Sequence, residues 1–565
     1  MIRIGGAAAL ALAVAMAGTP ATAQQTDPGV IDRAPVELPE ELEDATGAPA
    51  PAEPEREAVA NADEVVATFN SIDVSGVEVI DIAQISAATA SYVGRALTRG
   101  DLAQLKFDIT KLYYDAGYIL VRVTTPPQDV SDGILEVVVI EARIGSIEVA
   151  NDGVIEPYLA DALTGQVRIG SVFREQEVES MISDLDDLGG VTASLNLRPG
   201  EEFGTTDMAV TLNAAEEDVQ TISFDNYGSE LTEEKVTSLS LVNSNFFGMG
   251  ETIGLSGRLD TEDDLHSLSI TAKAPLGISN WILDTSYTQS QIEVDSIGTN
   301  GRSNVFNVAV SSALVNQRRQ RFVVRGGFEG RRHETLGTAT NNDQIRQFFV
   351  SGTYLARLPD LVLFGSLEVR QGISGLGASP EHAPLGDRSR FSGDPGILRL
   401  KPLVFVSYQL NSVDTLRAIA SGQWSSSTTL ASDMFSIGGF GSLRGFEPAT
   451  ASGEAGYQLS LEHSRRFELD VPWLAVRAGA VLRGRRGVRP RPFPGRRLAR
   501  RSPVRCRPYP GTRCRRATTQ SQSAPAGDTN LRLDWAFRLG HYRSRSLDTR
   551  RIDRNTILVS LSQTF

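Results

Sequence analysis

Reactive chemistry needs reactive side chains at workable spacing, and this chain offers few. Its five histidines, His266, His333, His382, His463 and His541, are scattered, with no metal-ligand spacing. No Gly-x-Ser-x-Gly elbow presents a nucleophilic serine. The two cysteines, Cys506 and Cys514, lie in one unusual window, so no disulfide framework or thiolate metal site is expected elsewhere. The segment that stands out is glycine-rich. Gly422-Gln423 precedes Phe435-Ser436-Ile437-Gly438-Gly439-Phe440-Gly441-Ser442-Leu443-Arg444-Gly445-Phe446. A phosphate-binding loop would need a Lys-Ser/Thr pair and a following amphipathic helix, and this segment has neither. Its glycines let the backbone turn tightly around Arg444. No enzyme activity, metal or cofactor is expected.

The elements that must position this loop are of three kinds. The N-terminus is a processing signal: Arg3 supplies a positive start, Ala7 to Ala17 is an apolar run, and Ala21-Thr22-Ala23 fits a small-x-small cleavage site. The run is shorter than the roughly 20 residues that cross a bilayer. Residues 1–23 are therefore read as a signal peptide and Gln24 as the start of the mature chain. Residues 24–63, rich in Pro, Ala and Glu, read as a linker, with a candidate short helix at Glu37 to Asp44.

Two small α+β units follow, at 64–144 and 145–214. In the first, Val74-x-x-Val77-x-Val79 is strand-like. Asp101 is read as the cap of a helix carrying Leu102, Leu105, Ile109 and Leu112, ended by Gly117. Tyr118 to Val123 is β-rich, Pro126-Pro127 breaks it, and Asp132-Gly133 turns into a β run at Ile134 to Ile140. The second unit repeats the scheme. It has helical faces at Ile155, Leu159, Leu163 and at Val178, Met181, Ile182, Leu185, then Gly189-Gly190 and strands at Val191 to Leu197 and Met208 to Leu212.

From Val219 onward the pattern alternates. Ile253, Leu255 and Leu259 face one way and Thr252, Ser256 and Arg258 the other; Leu531, Leu533, Trp535 and Phe537 alternate with Arg532, Asp534 and Arg538. An apolar face backed by a charged one suits a membrane barrel with a watery lumen. Residues 219–565 give about 16 strands at roughly 20 residues per strand and turn, and the chain ends on an alternating strand with Phe565.

The formal charge is −14, unevenly spread: Arg477 to Arg516 holds 15 arginines and no acid, leaving 40 basic against 69 acidic residues. An acidic body argues against nucleic acid as a partner.

Several segments of the chain resemble the two-partner secretion transporters, the haemolysin-activator and filamentous-haemagglutinin transporter family of the Omp85 superfamily. The first is Tyr92-Val93-Gly94-Arg95 with Leu112-Tyr113-x-x-x-Gly117-Tyr118 and Pro126-Pro127-Gln128-Asp129-Val130-x-Asp132-Gly133, similar to the family's first POTRA domain. Asp225-Asn226-x-Gly228 resembles the opening barrel strand, and Arg370-Gln371-Gly372 with Ser389-Arg390 a barrel-internal motif. Gly438, Gly439, Leu443, Arg444, Gly445 and Phe446 resemble the long loop that folds back into the lumen, where its arginine pairs with the aspartate of a Phe-x-Asp-x-Gly motif. The resemblance implies α+β periplasmic POTRA domains followed by an all-β transmembrane barrel of about 16 antiparallel strands in the outer membrane of a Gram-negative bacterium. It implies transport of an unfolded exoprotein of adhesin, haemolysin or haem-binding type. It also implies a lumen plugged at rest by an N-terminal helix, for which Glu37 to Asp44 is the candidate. Outer-membrane lipid, lipopolysaccharide and the barrel assembly machinery are the further expected partners. The alternatives are an assembly factor of the same superfamily and a passive porin.

The sequence departs from the family at 477–527. The expected aspartate should follow Val471-Pro472-Trp473, yet no acid occurs between Asp470 and Asp528. The window is full of Arg and Pro and lacks strand alternation. It reads either as a basic surface loop or as translation out of frame, and five Lys against fifty Arg, the mark of a GC-rich gene, favour the second.

Overall fold

The computed structural model describes residues 56–215, 218–226, 235–260, 265–294, 298–337, 340–380, 388–438 and 451–467, a few single residues beside these, and the backbone strands at 476–484, 529–537 and 555–564. Among the described residues no helix is long and apolar enough to cross a membrane.

The first unit runs β1 (Val65–Thr68), β2 (Ser71–Ser75), α1 (Ile82–Thr89), β3 (Ala96–Thr98), α2 (Arg99–Asp115), β4 (Val121–Thr124) and β5 (Ile134–Glu141). Strands β2, β5 and β4 form its main sheet, and β1 pairs with β3. Helix α2 buries Leu105, Ile109 and Tyr113 against Leu135, Val137 and Val139. Its cap corrects the sequence reading. Thr98 is the N-cap and Asp101 the third helical residue, and each side chain accepts from the other's backbone N–H. The short β1 and α1, and the end of β2 at Ser75 before Val77 and Val79, are likewise not what alternation predicted. Tertiary pairing overrides propensity in such short runs.

The second unit runs β6 (Arg143–Ala150), α3 (Pro157–Thr164), α4 (Glu175–Asp186), β7 (Val191–Pro199) and β8 (Thr205–Ala214), with sheet order β6-β8-β7. Leu159, Leu163, Val178, Met181 and Leu185 pack on Met208, Val210 and Leu212, so the helical faces predicted from spacing are the ones buried.

The remaining strands are β9 (Val219–Asp225), β10 (Val236–Ser244), β11 (Thr252–Asp260), β12 (Leu265–Pro275), β13 (Ile282–Val294), β14 (Thr299–Asn316), β15 (Gln320–Gly337), β16 (Asn341–Arg357), β17 (Leu361–Gly372), β18 (Leu398–Gln409), β19 (Asp414–Ser425), the short β20 (Phe435–Ile437) and β21 (Ala451–Gly453), then β22 (Gly456–Phe467), β23 (Val476–Gly484), β24 (Thr529–Phe537) and β25 (Asn555–Thr564). All but β20 and β21 join one sheet of fifteen strands, β23-β22-β19 down to β9 and then β25-β24. Its pairings are antiparallel throughout, and the last strand meets the first, Ser562 opposite Ser223. One face exposes Leu255, Leu268, Ile270, Phe306, Val350 and Leu367. The opposite face carries the polar and charged residues described below.

One correction bears on the basic window. Its first residues are not loop: β23 runs to Gly484, paired with Leu459 of β22. Between β23 and β24 the sheet has two free edges among the described residues. Counting round the antiparallel pairings, β23 and β24 run in the same direction. Closure across that seam therefore takes an odd number of further strands. A single one brings the fifteen to the even count of a bacterial outer-membrane barrel.

Candidate functional site

The inward face of β15 to β18 is a lattice of charges, placed there by residues of like alternation on neighbouring strands. Glu329 of β15, 5% exposed, accepts from Arg331 at 2.6 Å, Arg370 at 2.7 Å and Gln347 at 2.6 Å. Arg370 also grips Glu368 with two bonds, of 2.6 and 3.0 Å, and Lys401 lies 3.6 Å from the same carboxylate. Phe349 lies under two guanidinium groups, those of Arg325 at 4.8 Å and Arg370 at 5.1 Å from its ring centre.

The lattice holds a loop. After β19 the chain turns inward through a 3-10 turn, Ala431–Asp433, and Asp433 Oδ1 meets Arg399 at 2.7 Å and Arg331 at 3.1 Å. Arg399 reaches Gln347, which closes a ring of partners through Glu329 and Arg331 back to Asp433. Gln423 Nε2 donates to the Asp433 carbonyl at 2.8 Å and to that of Glu454 at 3.2 Å. The preceding loop joins in. Arg390 pairs with Glu454 at 2.8 Å and donates to the Thr429 carbonyl, while Ser389 bonds Asp343 and accepts from the Ala431 N–H. β20 and β21 then pair as the loop's stem, Phe435 opposite Gly453. Removing one member of such a buried set leaves its partner's charge uncompensated, at a cost of about 3–5 kcal/mol.

Gly438 ends the stem at φ +126°, a conformation that favours glycine, and exchanges two hydrogen bonds with Ser442. Gly439, Leu443, Arg444, Gly445 and Phe446 lie outside the described residues, as do Gly228, Phe565, the signal peptide, Glu37 to Asp44 and 485–528. Asp225 ends β9 opposite Val236 and Ser560, with Asn226 next in the chain.

The motif of the first unit builds two things. Pro126 and Pro127 cannot donate to the sheet where β4 ends, and the Gln128 side chain takes over. It donates to the Glu136 carbonyl at 2.9 Å and accepts from the Glu136 N–H at 2.7 Å. Asp132 accepts from Ile134 N–H and Gly133 turns at φ +73°. Gly117, at φ +87°, and Tyr118 make the junction between units. The Gly117 carbonyl accepts from Glu175 N–H at 2.9 Å, and the Arg174 guanidinium lies 5.9 Å from the Tyr118 ring centre. Ile119 and Leu120 pack into the second unit's core.

Sequence reasoning passed over Asp433, Arg331, Arg399, Glu329 and Glu368. A signal was there: Glu329-x-Arg331, Glu368-x-Arg370 and Arg399-x-Lys401 each put two charges on one face of a strand. Arg370, Ser389 and Arg390, singled out by resemblance, do fall in the network.

The comparisons with known proteins agree with this anatomy. Residues 204–480 match the model for the haemolysin secretion/activation protein ShlB/FhaC/HecB, and residues 67–142 the ShlB-type POTRA domain. The outer membrane transporter CdiB of Dickeya dadantii is 24% identical over 390 residues, 66% of this chain and 67% of that protein. The hemolysin transporter protein ShlB of Serratia marcescens is 23% identical over 420 residues, 72% and 73% of the two chains. The heme/hemopexin transporter protein HuxB of Haemophilus influenzae is 25% identical over 166 residues, 29% of each. Among solved structures, CdiB from Escherichia coli superposes with a TM-score of 0.69 at 18% identity, covering 96% of both chains. CdiB from Acinetobacter baumannii does so at 0.61 and 15% identity, covering 92% of this chain and 94% of that one.

Proposed function

The chain belongs to the ShlB/FhaC/HecB family of haemolysin secretion/activation proteins, and on that premise we propose that it is a two-partner secretion transporter. It takes one unfolded exoprotein from the periplasm through its outer-membrane barrel to the cell surface. The observation that carries this reading is the join of two POTRA-type units, built into each other at Gly117 and Tyr118, to a sheet whose inner face pins a long loop. A passive porin has no use for the two periplasmic units.

The capture step falls to the POTRA sheets, whose edge strands are β2 and β4 in the first unit and β6 and β7 in the second. An extended chain adds to such an edge through main-chain hydrogen bonds, and side-chain pockets supply selectivity. The exoprotein then passes the loop held by Asp433 and folds outside, which biases the movement without periplasmic ATP. Its type is adhesin, haemolysin or haem-binding, in line with the haemolysin and heme/hemopexin transporters among the relatives. Arg444, at the loop's tip in the sequence, is the residue we assign to gating. Outer-membrane lipid and lipopolysaccharide surround the barrel, and the barrel assembly machinery inserts it.

The experiment compares the culture medium of cells with and without the chain. The expected result is that one large polypeptide disappears from the medium when the chain is deleted, and that Arg444→Ala lowers its release while the barrel remains in the outer membrane. An unchanged medium after deletion, with only solute flux altered, would favour the porin instead.

A further inference from the structure

Helix α4 ends in a way that local electrostatics opposes. A helix C-terminus favours cations, yet the last turn and cap of α4 carry Asp184, Asp186 and Asp187 and no base. Asp186 accepts from Ala193 N–H of its own unit at 2.6 Å. The other two reach out to the barrel. Asp187 and Arg321 of β15 form a two-bond pair at 2.9 and 2.7 Å. Asn316, at the end of β14, donates to Asp184 at 2.7 Å and to Asp187 at 2.9 Å. Asp184, 4% exposed, also accepts from Asn280 in the β12–β13 turn at 3.2 Å and from Gln166 at 3.3 Å. Asn280 is itself oriented by Ser312 and the Ala313 carbonyl. Burial pushes the Asp184 carboxyl above its ordinary range, against the three amide donors that stabilise the charge.

The contact is broad. Glu179 accepts from the Arg318 N–H in the next turn at 3.0 Å. In the β10–β11 turn, Gly250 accepts from Gly189 N–H at 3.0 Å and Gly248 from Glu156 N–H at 2.8 Å. A side chain at Gly189 would meet Thr252 Oγ1 at 2.4 Å, so the approach there is as close as glycine allows. Three successive periplasmic turns of one side of the barrel thus grip one POTRA unit, and charged and amide groups face each other at the centre of the grip.

We propose that Asp184 and Asp187, with Asn316 and Arg321, form a joint that holds the second POTRA unit in one orientation beneath the barrel throughout transport. They are positioning residues: the captured chain is delivered to the lumen along a fixed direction. This rests on the transporter reading given above. A joint that merely stabilised the fold would affect how much protein reaches the membrane. A joint that aims the cargo affects release per transporter and leaves capture intact.

The test uses the full-length chain in its own cells, with the polypeptide lost from the medium on deletion as the reporter. Asp187→Ala and Arg321→Ala should each lower release per transporter by about tenfold, as the loss of a charged hydrogen bond implies. The barrel should remain in the membrane, and the reporter should still co-purify with it. The exchange of Asp187→Arg with Arg321→Asp should restore release. In a background that holds no other cysteine, Glu179→Cys and Arg318→Cys tied by a short thiol cross-linker should secrete normally, because the joint does not open. Wild-type release from Asp187→Ala, loss of the barrel itself, or a block caused by the cross-link would each overturn the proposal. If deletion of the chain removes nothing from the medium, the transporter reading fails first and the joint loses its role with it.

Discussion

At the scale of single residues, Asp433 does what sequence reasoning reserved for an aspartate in the missing Phe-x-Asp-x-Gly motif. It ties the inward loop to the wall, with the signs reversed: the loop supplies the acid and the wall supplies Arg331 and Arg399. The loop base is thus held to the wall through Asp433. Asp433→Asn preserves the side chain's shape and removes its charge, leaving Arg399, 3% exposed, without its carboxylate. The expected outcome in planar bilayers is more frequent and larger channel openings than in the parent chain. Unchanged conductance would mean that the remaining contacts of Gln423, Arg390 and Glu454 suffice to hold the loop.

At the scale of elements, caps and ends decide which helices are sturdy. Thr98 and Asp101 satisfy each other's backbone donors at the start of α2. The hydrogen bond from the Thr98 N–H, joined by the Thr98 hydroxyl and Arg95, holds the Asp101 carboxyl below the ordinary carboxylate range. A carboxyl lowered by folding contributes stability above its unfolded value and loses it as the pH falls through the folded one. Thr98→Ala should therefore lower the local opening free energy of α2 by about 1 kcal/mol at neutral pH. Amide hydrogen exchange on the whole protein in detergent measures it, and the difference between parent and variant should shrink in acid. The end of α4 shows the opposite case, where three acids disobey the local rule because two of them have partners on the barrel.

At the scale of the whole molecule, the strand directions constrain what can fill the seam. The family match ends at residue 480, four residues before β23 ends, and the sheet resumes at Thr529. We read the stretch between as shifted in frame. Sequencing the DNA across residues 470 to 530 should show compensating slips, and the restored reading should supply Phe-x-Asp-x-Gly and an odd number of strands. The restored chain should then run as a compact, heat-modifiable barrel on a gel, and the chain as written should not. If the DNA supports the arginine-rich reading, Arg444 has no family partner and this chain is a much altered transporter.

The alternation of Ile253, Leu255 and Leu259 with polar neighbours is local information, and so is the one-turn spacing of Leu159 and Leu163 in α3. From such patterns the sequence alone determined two α+β units followed by an antiparallel membrane sheet. The periodicity of a strand or helix is set by backbone geometry and needs no distant partner. The lattice and the joint were decided only by tertiary structure. Glu329 and Arg370 are far apart in the chain and meet because β15, β16 and β17 pair in register. Asp187 and Arg321 meet because a helix of one unit lands on a turn of another. Ion pairing depends on distance in space, and the sequence states only distance along the chain.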